Sequence, residues 1–388
     1  FAFAVIPIIL GSIFQISLGK KYYYPILSIS ISMLILSHNV MAVIFVPFFA
    51  IFSFLIIKKE KLNLARAFFF GFLSSAFFWL PAIYDLQFVK LSQTKISNIT
   101  DHLVTFTEIL SPKWFWGETL NGENSIFVQV GIVSVLVFAL TLYTIFVKKH
   151  ENKEIKFLAA SFVLIVFLLT KYSAAFWKVI PGVDIIQFPW RLLSLSTLIT
   201  AYLLTNFISS TQKKTHLTII FSILAILTTV SYIKPPDFIF RDDSYYWTNE
   251  DSTTVKDEYL PLWVREEPKE RANNKILASS DIKVSQEKIK PSNYKAQMTA
   301  EKESEVVINT IYFPGWEVLI NNQKVVISKD NKFGLITFKL PTGTSEVIIR
   351  YGKTPVHSIS EMISLSAILF LSITFYTSWR KQKIQEKI

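Results

Sequence analysis

The stretch from Lys171 to Arg191 separates two apolar runs, yet it carries residue types that lipid-facing helices avoid, namely Pro181, Gly182, Asp184, Gln187, Pro189 and Arg191. Irregular backbone at membrane depth is found only where protein or a water-filled cavity satisfies its amide groups, and a charge there indicates a functional site. A guanidinium in such a setting can hold a phosphate through two parallel hydrogen bonds. We therefore predict that residues 171–191 form a partly buried loop lining a cavity, with Arg191 pointing at its contents. The alternative is an interfacial arginine that reaches toward lipid headgroups.

Five further side chains are predicted to contact the same ligand: Gln187, Trp190, His38, Trp114 and Trp116. Gln187 and the neighbouring proline would fix the approach of the arginine. The tryptophans could stack on a ligand through their ring faces, although an interfacial aromatic belt explains tryptophans equally well. The histidine could carry a proton or bind an anionic leaving group, and its alternative is a plain polar turn.

Carboxylates in the same predicted loops are candidates for acid–base chemistry, because activating an acceptor hydroxyl requires a carboxylate within hydrogen-bond reach. We select Glu108 and Asp184 as catalytic candidates ahead of Asp85 and Asp101. Any of these side chains could also bind a divalent metal ion, which prefers oxygen ligands. The alternative for most of them is a solvated loop charge.

The composition places the chain among membrane proteins, since 51% of its 388 residues are hydrophobic and 15% are aromatic. The absence of cysteine excludes disulfides and thiolate chemistry. The net charge of +11 is concentrated in short loops on one side of the predicted membrane, where sixteen Lys and Arg stand against four Asp and Glu. This is the positive-inside pattern, so we exclude nucleic acid as a partner.

Nine apolar segments are predicted to cross the lipid bilayer, because about 20 mostly apolar residues in a helix span the hydrocarbon core. With nine crossings every basic cluster and the C-terminus fall on the cytoplasmic face, and residues 85–125, 171–191 and 234–356 fall outside. The predicted multi-pass segments are 1–18, 22–36, 40–57, 64–84, 126–147, 155–170, 190–208, 217–233 and 359–379.

The sequence therefore predicts a polytopic transmembrane domain at 1–233, an extracytoplasmic domain at 234–356, and a C-terminal transmembrane helix with a basic cytoplasmic tail at 357–388. The middle region is neutral, with eighteen basic and eighteen acidic side chains. Short alternating runs joined by turns indicate an antiparallel, all-β sandwich there. The runs are Glu305–Phe313, Trp316–Ile320, Leu335–Leu340 and Ser345–Tyr351, and the turns are Asn321–Lys324 and Pro341–Thr344.

Four motifs carry a resemblance to a known group: Tyr312-Phe-Pro-Gly-Trp-Glu-Val-Leu-Ile-Asn-Asn-Gln-Lys324, Leu340-Pro-Thr-Gly-Thr-Ser-Glu-Val-Ile-Ile-Arg-Tyr351, Gln187-Phe-Pro-Trp-Arg191 and Asp257-Glu-Tyr-Leu-Pro261. The chain resembles bacterial polytopic membrane proteins labelled as 6-pyruvoyl-tetrahydropterin-synthase-related membrane domains. These are similar to the membrane glycosyltransferases of the C-type fold, which use lipid-phosphosugars. The resemblance covers most of the chain, and the Pro-Gly-Trp hairpin is its most specific part. Asn321-Asn322 stands where Asp-Gly is more usual.

The resemblance implies glycosyl transfer outside the cell, from a polyprenyl-phosphate sugar to a glycan or protein acceptor. In that superfamily the acidic catalytic residue usually lies in the first outer loop, near the N-terminus. This chain opens at Phe1 inside an apolar run, without Met or a charged signal-peptide region. We therefore expect a fragment whose upstream part, including that acid, is missing.

A non-catalytic membrane protein is the alternative function: a transporter of lipid-linked glycans, a sugar-lipid binder without turnover, or a scaffold that presents the outer domain to partners. A transporter should need polar groups throughout its helical interior. The predicted crossing segments contain few such groups. This favours glycosyl transfer or sugar-lipid binding over transport.

Overall fold

The computed structural model describes residues 1–94, 97–110, 117–118, 124–125, 128–149, 152–180, 182–233, 240–248, 257–268 and 272–385. The chain divides into two compact units. The helical unit comprises residues 1–75, 97–240 and 366–388, and the β unit comprises residues 76–96 and 241–365. The β unit thus includes a segment, 76–96, that lies far from its strands in the sequence.

Helices form at every apolar segment named above, and the fourth segment is divided between two helices at Ser75. Long apolar runs favour helices because a helix pairs its own backbone amides internally. The helices are α1 (Ala2–Ser17), α2 (Tyr23–Ser37), α3 (Asn39–Ile56), α4 (Lys61–Ser74), α5 (Ala76–Asp85), α6 (Phe106–Ile109), α7 (Ile132–Phe146), α8 (Lys153–Leu169), α9 (Ala174–Val179), α10 (Leu193–Ser209), α11 (Lys214–Thr229), α12 (Asp243–Thr248) and α13 (Pro355–Gln385).

By length and composition, three helical stretches of the described chain could cross a membrane: Asn39–Ile56, Pro189–Ser209 and Pro355–Ile384. A fourth candidate is the bent pair formed by α4 and the α5 region. The helices α1, α2, α7 and α11 are apolar but shorter. A membrane location is therefore plausible, and the count of nine crossings stays a prediction.

Small residues bring α2 and α4 close together. A Cβ atom on Gly71 would lie 2.8 Å from the Ser28 carbonyl oxygen and 2.9 Å from the Ile31 Cβ atom. The Ser28 hydroxyl donates a hydrogen bond of 2.8 Å to the Ala67 carbonyl oxygen. Close backbone approach through small residues is typical of helix packing in lipid, where apolar burial provides no driving force between helices.

The strands are β1 (Gly117–Glu118) and β2 (Asn124–Ser125) in the helical unit, and β3 (Ile276–Ala278), β4 (Ile282–Lys290), β5 (Asn293–Ala300), β6 (Ser304–Ile311), β7 (Trp316–Ile320), β8 (Gln323–Val325), β9 (Leu335–Leu340) and β10 (Gly343–Tyr351) in the β unit. The β unit contains an antiparallel five-stranded sheet in the order β4-β5-β10-β7-β8 and an antiparallel three-stranded sheet in the order β3-β6-β9. Buried side chains from both sheets, such as Met298, Val347 and Phe338, belong to one apolar cluster.

The hairpin β7–β8 forms where the Pro-Gly-Trp motif predicted it. Asn321 and Asn322 have φ angles of 50° and 66°, the left-handed values that a two-residue type I′ turn requires. Gly315 has a φ angle of 116°, and a Cβ atom there would lie 2.8 Å from the Gly352 carbonyl oxygen. Glycine is therefore required at this point by both backbone conformation and space.

Residues 86–91 join the β unit through backbone pairing with residues 258–262. The Lys90 amide donates to the Leu260 carbonyl at 2.9 Å, and the Leu262 amide donates to the Phe88 carbonyl at 2.9 Å. The Phe88 ring also lies edge-on to Phe313, with centroids 6.1 Å apart. These contacts explain why the segment after α5 belongs to the β unit.

Candidate functional site

The described residues of the 171–191 loop form short helical turns that are hydrogen-bonded to the end of α8. The Trp177 side chain is buried, and its Nε1 donates a hydrogen bond of 2.8 Å to the Leu168 carbonyl oxygen. The Ser173 hydroxyl donates to the same oxygen at 3.0 Å. The last carbonyls of a helix lack intrahelical partners, so these two side chains satisfy one of them and anchor the loop.

The half-buried Arg191 side chain is held from two directions. Its Nη1 donates a hydrogen bond of 2.9 Å to the Ile186 carbonyl oxygen, and its guanidinium carbon lies 5.1 Å from the centre of the Phe188 ring, within cation–π range. Gln187 has a φ angle of 59°, which is uncommon for a residue other than glycine. A guanidinium has five N–H donors, so the bond to Ile186 leaves most of them for a ligand.

Aromatic rings surround this guanidinium. Phe188 and Trp190 are stacked, with ring centroids 4.5 Å apart. The His102 ring meets both edge-on, at 5.0 Å from Phe188 and 5.1 Å from Trp190, and its Nε2 shares a hydrogen bond of 2.6 Å with the Ser97 hydroxyl. We call His102, Phe188, Trp190 and Arg191 the arginine–aromatic cluster. It combines a cation, ring faces and a titratable imidazole.

His102 was missed in the sequence analysis, and the structure shows how it reaches the cluster. The Val104 amide donates to the Leu169 carbonyl at 3.0 Å, and the Lys171 amide donates to the Val104 carbonyl at 2.9 Å. This pairing holds residues 97–110 against the start of the 171–191 loop. The sequence gives one indication of a role for His102, which is its position inside a predicted outer loop. No spacing rule links it to residues 188–191.

His38 lies at the N-terminus of α3, where its Nδ1 accepts a hydrogen bond of 3.4 Å from the Met41 amide. The Ser194 hydroxyl lies 3.4 Å from the Met41 sulfur and 2.6 Å from the Arg191 carbonyl oxygen. The N-terminus of α3 therefore lies at the same end of the helical unit as the arginine–aromatic cluster. The exposed imidazole acts as a helix cap, and its contact with a ligand stays a prediction.

Glu108 forms a capping box at the start of α6. Its Oε2 accepts hydrogen bonds from the Thr105 amide at 2.6 Å and the Thr105 hydroxyl at 2.7 Å, and the Glu108 amide donates to that hydroxyl at 3.3 Å. These hydrogen bonds, first the one from the Thr105 backbone, hold the pKa of Glu108 below its ordinary value, and Lys171 adds a smaller electrostatic effect. A carboxylate with a lowered pKa is a weaker base, so its role in the structure is capping.

Three of the predicted site residues are not described in full. Trp114 and Trp116 lie outside the described residues, and so does the side chain of Asp184. The backbone of Asp184 belongs to the short helix Val183–Ile186. Within the described part of the chain, no group of three or more His, Asp or Glu side chains could hold a metal ion. The suggestion that a loop carboxylate binds a divalent metal ion stays a prediction.

The β unit holds a second polar group near the start of α13. Asp85 Oδ2 lies 3.9 Å from His357 Nε2, and His357 Nδ1 shares a hydrogen bond of 2.7 Å with the Thr354 hydroxyl. Among the described atoms, buried Asp85 Oδ1 and Glu258 Oε2 have no hydrogen-bond partner. Burial raises the pKa of the Tyr351 phenol, and the charge of Asp85 raises it further. Asp85 was ranked behind other carboxylates in the sequence analysis, and Glu258 was given no role.

Comparison of the chain with protein-family models, curated proteins and solved structures finds no match. The geometry of the two polar groups is therefore the basis for assigning a function. The arginine–aromatic cluster is the better candidate, because a guanidinium with spare donors suits a phosphate and ring faces suit an apolar or sugar surface.

Proposed function

We propose that the chain is a multi-pass membrane protein, similar to the C-type membrane glycosyltransferases, that binds a polyprenyl-phosphate sugar at the arginine–aromatic cluster. The observation that carries the proposal is the Arg191 guanidinium, which the Ile186 carbonyl and the Phe188 ring hold at the start of Pro189–Ser209, a candidate membrane span. A lipid phosphate requires a fixed cation, and its isoprenoid chain requires an adjacent lipid phase. The N-terminal end of this helix offers both.

In this proposal the β unit lies outside the cell and forms a two-layered sandwich, because buried side chains of its two sheets share one apolar cluster. The basic loops and the C-terminus lie in the cytoplasm, following the positive-inside rule. The sandwich would bind the glycan or protein acceptor.

The reaction is an inverting displacement. The acceptor hydroxyl oxygen attacks the anomeric carbon, the bond between that carbon and the phosphate oxygen breaks, and the electron pair leaves with the lipid phosphate. A carboxylate takes the hydroxyl proton, and Arg191 stabilises the negative charge on the leaving phosphate. Glu108 already accepts two hydrogen bonds from Thr105, so it is a poor candidate for this base, and the role of Asp184 stays a prediction.

The capping role of Glu108 favours a second candidate, a sugar-lipid binder without turnover. A capped carboxylate with a lowered pKa leaves one fewer base for the displacement. Binding at the arginine–aromatic cluster is common to both candidates. Only transfer to an acceptor separates them.

The test uses the full chain in liposomes that contain labelled polyprenyl-phosphate sugars, with retention and transfer of the label measured separately. Arg191→Gln should weaken retention by about 10- to 100-fold, because a charge-assisted hydrogen bond is lost. Arg66→Gln is the matched control, since Arg66 is an exposed arginine whose Nη1 lies 3.3 Å from Asn63 Oδ1, and it should retain the label normally. Equal retention by both variants would refute the site. Retention without transfer to any acceptor would favour the binder.

A further inference from the structure

A cleft of about 920 Å³ opens in the β unit beside the hairpin β7–β8. Residues within 312–317, 324–327 and 350–355 line it. Among these described residues, Lys324, Arg350 and Lys353 supply three cations, and Glu317 supplies the one carboxylate. The lining residues therefore carry a net positive charge, in a unit whose sequence is neutral as a whole. The Lys353 ammonium also pairs with Glu361, at 2.5 Å, so Lys324 and Arg350 are the two cations that share one carboxylate.

Glu317 holds two of these cations side by side. Its Oε1 lies 2.7 Å from the Lys324 ammonium, and its Oε2 lies 3.3 Å from Arg350 Nη2. The hydrogen bond from Lys324 is the first cause that lowers the pKa of Glu317, and Arg350 contributes further. Both cations remain more than half exposed, at 67% and 53%, so their remaining N–H donors can reach a second anion.

The cleft also lies close to the start of a candidate membrane span. Pro355 lines the cleft and begins α13, whose residues Pro355–Ile384 are long and apolar enough to cross a bilayer. The predicted crossing segment begins at Ile359, which is about 6 Å along the helix from Pro355 at about 1.5 Å per residue. The headgroup layer occupies roughly 5–7 Å on each side of the hydrocarbon core. The cleft would then stand at the outer edge of the headgroup layer.

We propose that this cleft binds the headgroup phosphate of an anionic phospholipid in the outer leaflet. Lys324 and Arg350 would donate to the phosphate, and Lys353, whose charge Glu361 balances, would lie beside them. Val326, which lines the cleft and is 89% exposed, would contact the lipid surface. The inference rests on the membrane crossing of α13, which belongs to the proposed function, and does not depend on glycosyl transfer.

The test uses the full chain in nanodiscs of phosphatidylcholine with a photoactivatable phosphatidylglycerol, followed by mapping of the cross-linked peptides. Cross-links should concentrate in residues 312–327 and 350–355. The double variant Lys324→Glu/Arg350→Glu should lower this yield more than tenfold, because each basic side chain near an anionic membrane contributes about fivefold in affinity. The control is Lys339→Glu, since Lys339 is an exposed lysine that pairs with Glu303 at 3.3 Å outside the cleft, and it should leave the yield unchanged.

An equal yield from photoactivatable phosphatidylcholine, or a yield that charge reversal leaves unchanged, would overturn the proposal. Tighter binding of free glycerol phosphate than of the lipid at the same cleft would also overturn it, in favour of a soluble anion. If the double variant misfolds by circular dichroism, the single variants Lys324→Gln and Arg350→Gln replace it, each with an expected fall of about fivefold. Cross-linking without glycosyl transfer would refute only the proposed activity, and transfer without cross-linking would refute only this lipid site.

Discussion

The helical unit and the β unit expose opposite kinds of surface. None of the residues of α11, all of them described, is buried, and its side chains Ile226 and Leu227 are 64% and 63% exposed. Strand β5 instead buries every second residue, including Ala296 and Met298, and exposes polar side chains between them. Large exposed apolar faces mark contact with lipid or protein, whereas strict alternation is typical of a strand with one face in water. The comparison indicates that the two surfaces suit different surroundings, water for the exposed face of β5 and lipid or protein for α11.

The two units also differ in their charged side chains. The β unit pairs its surface charges with one another, as in Lys295 with Glu346 at 2.5 Å and Arg265 with Asp330 at 2.7 Å. Exposed ion pairs of this kind add little stability, but they keep a surface compatible with water. The apolar stretch of α11 between His216 and Val230 carries no charged residue.

The largest expected effect comes from truncating the shared core of the two sheets. Phe338→Ala removes a ring from a side chain that is fully buried in the apolar cluster, and it should lower the free energy of unfolding by about 3–5 kcal/mol. Denaturant unfolding of the detergent-solubilised chain, followed by circular dichroism, measures this change. Ile226→Ala on α11 is the contrasting variant and should cost less than about 1 kcal/mol, because an exposed side chain leaves no cavity. A similar loss of unfolding free energy in the two variants would contradict the difference described between the units.

An intermediate effect is expected where α2 and α4 touch. In Gly71→Ala the new methyl group would lie 2.8 Å from the Ser28 carbonyl oxygen, and overpacking of this kind costs about 1–3 kcal/mol. Gly11→Ala is the matched control in α1, since its Cβ atom would meet no described atom within 4 Å. Thermal unfolding in detergent should show a lower midpoint for the first variant alone. Equal midpoints would show that the two helices do not pack through this glycine.

The smallest effect concerns Glu108. Its pKa in the folded chain lies below the ordinary value of 4.5, so the folded state binds fewer protons than the unfolded state between the two values. The stabilisation is therefore complete above the ordinary pKa and is lost as the pH falls through the folded pKa. Glu108→Gln keeps the capping geometry, because glutamine also serves in a capping box, and should cost less than about 1 kcal/mol at neutral pH. The difference in thermal midpoint from the unsubstituted chain should disappear in acid.

A matched variant sharpens the Glu108 prediction. Glu287→Gln changes an exposed carboxylate on β4 that carries no capping role. Its thermal midpoint should equal that of the unsubstituted chain at neutral and at acid pH. A difference for Glu108→Gln that persists in acid would show that the carboxylate contributes through packing and not through its charge.

Apolar runs and turn residues predicted much of the fold. The bounds Trp316–Ile320 and Leu335–Leu340 match β7 and β9, because alternation between a buried and an exposed face leaves a clear pattern. Strands β4 and β5 were not predicted. Most of β4 is exposed and rich in lysine, and β5 buries small alanines, so neither shows a strong apolar pattern. The break at Ser75 was not predicted either, since residues 67–84 contain no charged side chain and no local signal separates them into two helices.

Only part of the candidate site could be predicted. The irregular 171–191 loop and the position of Arg191 follow from residue types that a lipid-facing helix avoids. The contact of His102 with Phe188 and Trp190 depends on backbone pairing between residues distant in the sequence. Such pairing leaves no local pattern in the sequence. The pairing of Asp85 with His357 was not predicted for the same reason, since the two residues lie at opposite ends of the β unit's sequence.

Cysteine labelling in cells tests the difference in solvent most directly, because the chain contains no native cysteine. Thr342→Cys lies in the exposed turn between β9 and β10, and Ile226→Cys lies on the exposed face of α11. A membrane-impermeant maleimide should label Thr342→Cys on intact cells. It should leave Ile226→Cys unlabelled even in opened membranes, until detergent removes the lipid. Labelling of Ile226→Cys in opened membranes without detergent, or labelling of Thr342→Cys only after the cells are opened, would contradict the account.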